Sequence, residues 1–192
     1  MKPIHRMLLA ALLVPMAGCA PYSLIDAGKP VTIGKTLTVS PQIAWANANS
    51  PNVDGTVWTA DGTGIDAMLF FTGIEPGKPL IKVDGVAKKE LRLYRASMLP
   101  DDVMELLVSN IATLGFQQIA TANLHPAAFG GDQGFRFDLT FVTQNGLKMK
   151  GSALFAQKDG KLDLILFYAA DEYYYGHYSD TVERLFSTVR AG

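Results

Sequence analysis

The chain has 192 residues, of which 48% are hydrophobic and 18% charged, with 17 basic residues against 18 acidic ones. This composition is typical of a globular protein and excludes an intrinsically disordered chain. The near-balance of charge gives no electrostatic basis for binding nucleic acid, and the length suits one domain with a sizeable core.

The first 18 residues have the three-part layout of a secretory signal. A basic segment is followed by an apolar run over residues 7–16, and the small residues Ala17 and Gly18 end it. The run is too short for a membrane-spanning helix, which needs about 20 apolar residues. We therefore expect residues 1–18 to be a signal peptide that is removed from the mature protein.

Cys19 follows this signal directly and is the only cysteine in the chain. The sequence Met16-Ala17-Gly18-Cys19 resembles the lipobox of bacterial lipoproteins, with Met16 where leucine is usual. The resemblance implies cleavage before Cys19, lipid such as palmitate on its sulfur and amine, and a periplasm-facing protein anchored in the cell envelope. Ala20, where the lipoprotein sorting rule applies, implies the outer rather than the inner membrane. The alternative is an ordinary secretory signal followed by an accidental cysteine.

Removal of the signal leaves 174 residues with 15 basic against 18 acidic, a net charge of −3, because Lys2 and Arg6 are lost. The sequence shows no basic run for anionic lipid, so lipid on Cys19 is expected to be the sole source of membrane affinity. Residues 19–34 are predicted to be the lipidated cysteine and an irregular tether rich in proline and glycine. Residues 35–192 are predicted to form a single α+β domain.

Strand and loop signals alternate before the first predicted helix. The expected elements are a strand over 35–39, a loop over 46–54, a hairpin over 56–72, a loop over 73–86 and a short strand over 90–95. Asp61-Gly62 is expected at the hairpin turn. Trp45 and Trp58 are expected in the core, in preference to a role as a ligand platform.

A helix is predicted over residues 100–114, followed by a strand over 116–122. Pro100 suits the first helical position, and the acidic residues after it suit the positive end of the helix dipole. Apolar side chains recur with the helical period, and Gly115 lies where a left-handed residue is expected to end the helix.

Residues 135–170 have the pattern of a three-stranded antiparallel meander. A three-residue loop over 144–146 sets Phe141 opposite Met149 and keeps the apolar side chains on one face, whereas a two-residue loop would oppose Phe141 to Lys150. A two-residue loop at Asp159-Gly160 preserves the same face on the third strand. The opposite face is mixed, and we expect it to be only partly covered.

A closing helix is predicted over residues 179–190. The order of elements resembles the Mog1/PsbP-like α/β/α sandwich, an antiparallel sheet flanked by helices. The resemblance rests on Trp45, the turns at 57–62 and 129–131, the meander, and the closing helix with Leu185-Phe186-Ser187. It covers about residues 35–190 and implies no catalytic motif, since the family includes photosystem assembly factors, a transport-linked nuclear factor and bacterial lipoproteins.

The segment from Asp171 to Tyr178 is the one unusual stretch of polar and aromatic residues. Its possible partner-binding residues are Tyr173, Tyr174, Tyr175 and His177. One interpretation is an acidic-aromatic rim for a protein or small-molecule partner. The interpretation favoured by the sequence is a strand-to-helix junction, placed before the helix, whose tyrosines pack against the sheet.

Catalytic and metal signals are weak. The mature chain has two histidines, His125 in a predicted loop and His177, and neither has a paired spacing that suits a metal. A metal set of His177, Asp171 and Glu172 is therefore set aside, and we expect no metal and no cofactor. Ser152 lies in a predicted strand and is a poor nucleophile, and residues 73–79 suit a turn better than a phosphate loop.

These observations predict a non-enzymatic envelope lipoprotein that serves as a binding or assembly-support module for another envelope protein. One alternative is a carrier with an apolar pocket between the sheet and a helix or residues 73–95. A hydrolase is the third hypothesis.

Overall fold

A computed structural model describes residues 22–48, 55–82 and 91–192. The predicted signal peptide, the lipobox and Cys19 lie outside the described residues. The described chain forms, in order, β1 (Tyr22–Ile25), β2 (Val31–Ile33), β3 (Leu37–Val39), β4 (Trp45–Ala48), β5 (Thr56–Thr59), β6 (Asp66–Ile74), α1 (Pro100–Ala112), β7 (Gln117–Phe129), β8 (Asp132–Val142), β9 (Lys148–Lys158), β10 (Lys161–Ala170), α2 (Tyr174–Ser187) and β11 (Arg190–Ala191).

The main sheet has eight strands in the order β1-β4-β5-β6-β10-β9-β8-β7. Each neighbouring pair is antiparallel. A smaller sheet of three strands has the order β11-β3-β2. The predicted fold class, an antiparallel sheet flanked by helices, is therefore confirmed.

Both faces of the main sheet are covered by apolar cores. On one face, α1 and the irregular segments around Leu80 and Tyr94 pack against the apolar side chains of the meander. On the other face, α2 and the smaller sheet pack against Leu154, Ile165 and Phe167. The sheet is thus the middle layer of a sandwich, and the strands at its centre are buried on both sides.

The predicted register of the meander is confirmed. Phe141 lies opposite Met149 and Phe135 opposite Phe155, as the three-residue loop requires. Gly146 has a φ of +82°, the left-handed conformation that this loop needs. In the next hairpin Phe155 lies opposite Leu164, which confirms the two-residue loop at residues 159–160.

The mixed face of the meander is covered at one end and open at the other. Leu154, Ile165 and Phe167 are buried beneath α2 and the smaller sheet, whereas Thr140 and Lys148 are exposed. The expectation of a partly covered face is therefore correct.

The predicted tether needs correction, because its described part is folded into the domain. Residues 22–25 form β1 on the edge of the main sheet, and residues 31–33 form β2, which places Ile33 in the core. Each strand is too short to show a period in the sequence, and each pairs with a segment that pattern analysis alone does not connect to it.

The predicted closing helix begins five residues too late and also ends too late. The helix α2 spans Tyr174–Ser187, so His177 lies inside it rather than before it. Tyrosine and glycine are weak helix formers, which hid the first turn from propensity arguments. Packing of Tyr174 and Tyr178 against the core, one helical turn apart, outweighs that local preference.

Three smaller expectations are also wrong. Residues 46–48, predicted to begin a loop, belong to β4, and His125 lies in β7 rather than in a loop. Residues 91–95 are irregular rather than a strand, because Tyr94 exchanges backbone hydrogen bonds with the loop at residues 77–78 and buries its ring. The rest of the predicted loop, residues 49–54, lies outside the described residues.

The antiparallel register gives the main sheet two distinct ends. One end carries the β5–β6 turn, which contains Asp61, and the start of α2, and we call it the Asp61 end. Asp66 pairs with Ala169 at this end. The opposite end, where Leu162 pairs with Ile74 beside the β9–β10 turn, is called the Lys161 end. Among the described residues, no helix combines the length and apolar character needed to cross a membrane.

Close packing between β9 and β10 can be tested at Gly151. A Cβ added there would lie 2.7 Å from the carbonyl oxygen of Phe167 and 2.9 Å from a methyl carbon of Leu139. We expect Gly151→Ala to lower the free energy of unfolding by about 1–3 kcal/mol, because backbone must shift to make room. Urea denaturation followed by circular dichroism measures the change.

Gly176→Ala is the matched control. Gly176 lies within α2, and a Cβ added there meets no atom within 4 Å. The control should raise the free energy of unfolding by about 0.5–1 kcal/mol, because alanine is the better helix former. Equal losses in the two variants would contradict the close packing at Gly151.

Candidate functional site

The turn between β5 and β6 is held by a buried carboxylate. Asp66 is fully buried, and its Oδ1 lies 2.5 Å from the hydroxyl of Thr59 and accepts the backbone N–H of Ala60 at 2.8 Å. Its Oδ2 accepts the backbone N–H of Asp61 at 3.2 Å. Burial raises the pKa of Asp66, and these hydrogen bonds act in the opposite direction by favouring the ionised form. The carboxylate therefore fixes the path of residues 59–61.

Asp61 connects this turn to α2. The phenol of Tyr178 donates a hydrogen bond of 2.6 Å to Oδ2 of Asp61, and the Tyr178 ring lies 6.1 Å from the buried ring of Trp45. Burial, aided by the hydrogen bond to Asp61, raises the pKa of Tyr178 above its ordinary value. The phenol consequently stays protonated at neutral pH and keeps donating to Asp61.

Two of the four predicted partner-binding residues fasten α2 to the sheet. Tyr174 is half-buried and contacts both apolar cores. Tyr175 is also half-buried, and its ring stacks on Phe167 with centroids 6.0 Å apart. The amine of Lys150 lies 5.0 Å from the centroid of the Tyr175 ring. These two tyrosines fit the prediction of rings packed against the sheet.

The other two predicted residues, Tyr173 and His177, are exposed. Tyr173 is 60% exposed, and its ring stacks on the imidazole of His177 with centroids 5.2 Å apart and planes 18° apart. The imidazole in turn packs edge-on against Tyr178, with centroids 4.7 Å apart. We call the exposed Tyr173 and His177, with Tyr178 behind them, the Tyr173 surface.

Tyr173 occupies the N-cap position of α2 without capping it. Among the described residues, no side chain caps the free N–H groups of this first turn. Serine, threonine, aspartate or asparagine at that position typically adds about 1 kcal/mol of stability. The position is therefore not optimised for the helix, as is common at functional positions.

Carboxylates surround the Tyr173 surface. Asp171 and Glu172 are exposed immediately before Tyr173, and Asp180 is exposed on the same side of α2 as His177. Aromatic faces next to carboxylates favour contact with cationic or polar groups of a partner. The arrangement therefore suits contact with a partner that carries such groups.

The hydroxyl of Ser152 is hydrogen-bonded to the ion pair of Arg136 and Glu183. This hydroxyl is buried and accepts a hydrogen bond of 2.8 Å from Nε of Arg136, and Arg136 forms a two-pronged ion pair with Glu183 of α2. The hydrogen bond to Glu183 raises the pKa of Arg136, which is thus permanently charged. A cation cannot act as the general base that a serine nucleophile needs, so this geometry does not suit Ser152 as a nucleophile.

The described surface also carries shallow grooves. One, of about 310 Å³, lies between α1 and β7 and is lined by apolar side chains including Met104, Val108 and Ile119, with Arg92 at its rim. On the same side of the sheet, Leu80, Ile81 and Tyr94 are fully buried against the core. The groove is therefore a surface feature beside a filled core.

The residues considered as metal ligands do not form a coordination site. Asp171 and Glu172 precede α2, and His177 is stacked between two tyrosines. Within the described ranges, no three His, Cys, Asp or Glu side chains come together in a way that could hold a metal ion.

Sequence reasoning missed the link between Asp66, Asp61 and Tyr178. Asp66 and Asp61 flank a predicted hairpin turn, but Tyr178 lies 117 residues further along the chain. The available signal was an aspartate inside an otherwise apolar strand, since a carboxylate there must find buried donors.

Comparison with known proteins establishes the fold. No protein-family model matches the chain, and no curated protein matches it in sequence. The chain is similar to the solution structure of cyanobacterial PsbP (CyanoP) from Synechocystis sp. PCC 6803, with a TM-score of 0.53 and 13% identity over 93% of this chain and 97% of that chain. It is also similar to the crystal structure of LpqN, involved in cell envelope biogenesis of Mycobacterium tuberculosis, with a TM-score of 0.45 and 10% identity over 88% and 90%. At this identity the likeness to CyanoP shows the PsbP-like α+β fold alone.

The role of Asp66 can be tested by removing its carboxylate. We expect Asp66→Ala to lower the free energy of unfolding by about 2–4 kcal/mol, because the donors of Thr59, Ala60 and Asp61 lose their shared acceptor. Thermal or urea denaturation measures the loss. Asp132→Ala is the control, because that half-exposed carboxylate pairs with Lys158 at the surface and should contribute less than about 1 kcal/mol. A loss at Asp66 no larger than that of the control would contradict the assigned role.

Proposed function

We propose that the chain is a lipid-anchored envelope protein without catalytic activity, and that it binds a partner protein through the Tyr173 surface. The anchor is lipid on Cys19, as the lipobox-like sequence implies. Ala20 favours the outer membrane, and the domain faces the periplasm. The partner is another envelope protein, for which the chain serves as a binding or assembly-support module.

The exposed pair of Tyr173 and His177 is the observation that carries this proposal. An exposed tyrosine offers a large contact area with few rotatable bonds, and tyrosine is enriched among residues that dominate binding energy. The stacking on His177 and the chain of contacts through Tyr178 to Asp61 hold the ring in place before a partner arrives. Such preorganisation reduces the entropy lost on binding.

A second candidate function is a carrier of a small apolar ligand. The groove between α1 and β7 favours it, because its lining is largely apolar. Native mass spectrometry of protein purified from its own host tests this function. A bound ligand that is lost in Met104→Lys would support it, and a ligand-free species alone would eliminate it.

The anchor can be tested with Cys19→Ser. We expect this variant to fold normally but to carry no lipid and to leave the membrane fraction after a salt wash, because stable anchoring needs the buried acyl chains. Mass spectrometry of the mature chain and fractionation of cells measure both effects. A variant that still sediments with membranes after the salt wash would show that the domain binds there by itself.

The binding surface can be tested with Tyr173→Ser. This change removes the exposed ring and supplies a residue that caps helices, so the free energy of unfolding should stay within about 1 kcal/mol of the unsubstituted protein. Crosslinking in cells, followed by purification of the chain, should recover about tenfold less partner, because tyrosine anchors typically contribute more than 1 kcal/mol to binding.

Leu99→Ser is the matched control for this experiment. Leu99 is 63% exposed and also occupies a helix N-cap position, that of α1. The control should recover as much partner as the unsubstituted protein. Equal recovery from Tyr173→Ser and the control would eliminate the Tyr173 surface as the binding site.

A further inference from the structure

Lysines from separate parts of the sequence come together at the Lys161 end of the sheet. Lys78 and Lys82 line a groove of about 320 Å³ beside the end of β6. Lys161 lies 3.7 Å from Glu75, which lines the same groove. Lys35 lies in the β2–β3 turn, which is joined to this region by Asp163. We call Lys35, Lys78, Lys82 and Lys161 the basic end.

Asp163 connects the β2–β3 turn to the end of β6 through hydrogen bonds. Its Oδ1 accepts the backbone N–H of Gly73 at 2.7 Å and the hydroxyl of Thr36 at 3.0 Å. Asp163 is buried, so its charge is directed at these donors rather than at the surface. The turn that carries Lys35 is thereby fixed next to the groove that carries Lys78 and Lys82.

Charge is distributed unevenly between the two ends of the sheet. The four lysines of the basic end are exposed, and Glu75 is the carboxylate in their groove. Asp159, in the β9–β10 turn, is a second exposed carboxylate at this end, whereas Asp132 is paired with Lys158. The opposite end presents exposed carboxylates at Asp61, Asp171, Glu172 and Asp180, with Lys148 as an exposed lysine among them. Among the described residues, the surface charge is therefore more positive at the Lys161 end than at the Asp61 end.

The position of β1 restricts how far the domain can lie from its anchor. Tyr22 begins β1, three residues after Cys19, and three extended residues reach about 10 Å. Within β1, Ile25 pairs with Trp45 near the Asp61 end, and Tyr22 pairs with Ala48, level with Leu166 in the middle of β10. The chain therefore enters β1 from the side of the Lys161 end. A lipid on Cys19 would hold this edge of the sheet at the bilayer, so one surface of the domain must face the headgroups.

We propose that the basic end lies against anionic phospholipid headgroups and turns the Tyr173 surface away from the bilayer. This inference rests on the proposed lipid on Cys19. Lysines near an anionic bilayer are attracted within about a Debye length, roughly 8 Å at physiological ionic strength, and these lysines come within that range only when the basic end faces the headgroups. The acidic Asp61 end is repelled, so a single orientation of the domain is favoured.

Fluorescence quenching on vesicles tests the orientation. The lipidated full chain has no free thiol, because Cys19 is its only cysteine, so one introduced cysteine can be labelled specifically. Pro76→Cys places a fluorophore beside the basic end, and Asn145→Cys places one in the loop at the Asp61 end; both positions are exposed. Lipids with a nitroxide on the headgroup quench the fluorophore that lies nearer the bilayer.

We expect quenching at position 76 to exceed quenching at position 145 by about twofold or more on vesicles that contain phosphatidylglycerol. The difference should disappear on phosphatidylcholine vesicles and at high salt. The double substitution Lys78→Gln and Lys161→Gln should remove it, whereas Lys148→Gln with Lys150→Gln, an equal loss of charge elsewhere on the sheet, should not.

Equal quenching at the two positions on anionic vesicles would overturn the inference, and so would a preference that does not depend on vesicle charge. Mass spectrometry of the same preparations separates this result from failure of the proposed function. Protein without lipid on Cys19 overturns both the anchor and the orientation. Lipidated protein with equal quenching overturns the orientation alone.

Discussion

The buried carboxylate of Asp66 is the interaction on which the exposed end of the molecule depends. It collects donors from three consecutive residues and so fixes the turn that carries Asp61. Asp61 holds the phenol of Tyr178, and Tyr178 holds the second turn of α2. Tyr173 and His177 are exposed at the start of this helix. A chain of short-range contacts therefore runs from a buried charge to the surface that we propose as the binding site.

This dependence explains how an exposed aromatic pair can be rigid. Burying an ionised carboxylate is unfavourable unless its oxygens are fully hydrogen-bonded, and a network that satisfies them admits few alternative geometries. Burial raises the pKa of Asp66, while the hydrogen bonds from the backbone favour its charged form, so these hydrogen bonds determine the position of the turn. Tyr173 and His177 are held in position through Tyr178, although they are exposed themselves.

Sequence patterns predicted the meander well because its strand pairing is determined by residues that are close together in the chain. The period of two and the two turns determine which residues face each other, so the pairing of Phe141 with Met149 could be calculated. The predictions of the tether and of the start of α2 were wrong because these segments depend on contacts with distant residues. β1 and β2 acquire their structure from distant partners, and α2 begins at Tyr174 because the tyrosines find a core to pack against.

The candidate site also depends partly on local pattern and partly on contacts between distant residues. Composition singled out residues 173–177, but only the fold separates the exposed Tyr173 and His177 from the fastening Tyr174 and Tyr175.

The basic end could not be predicted, because its lysines are spread from Lys35 to Lys161 and never form a run. A net charge of −3 for the mature chain suggested that the protein contributes nothing electrostatic to membrane contact. Net charge, however, fixes only the sum of the field and not its direction. Antiparallel strands carry neighbouring turns to opposite ends of a sheet, so a chain of slightly negative charge can still present a positive end to a bilayer. In the arrangement that we propose, that end orients the domain and lipid on Cys19 supplies the affinity.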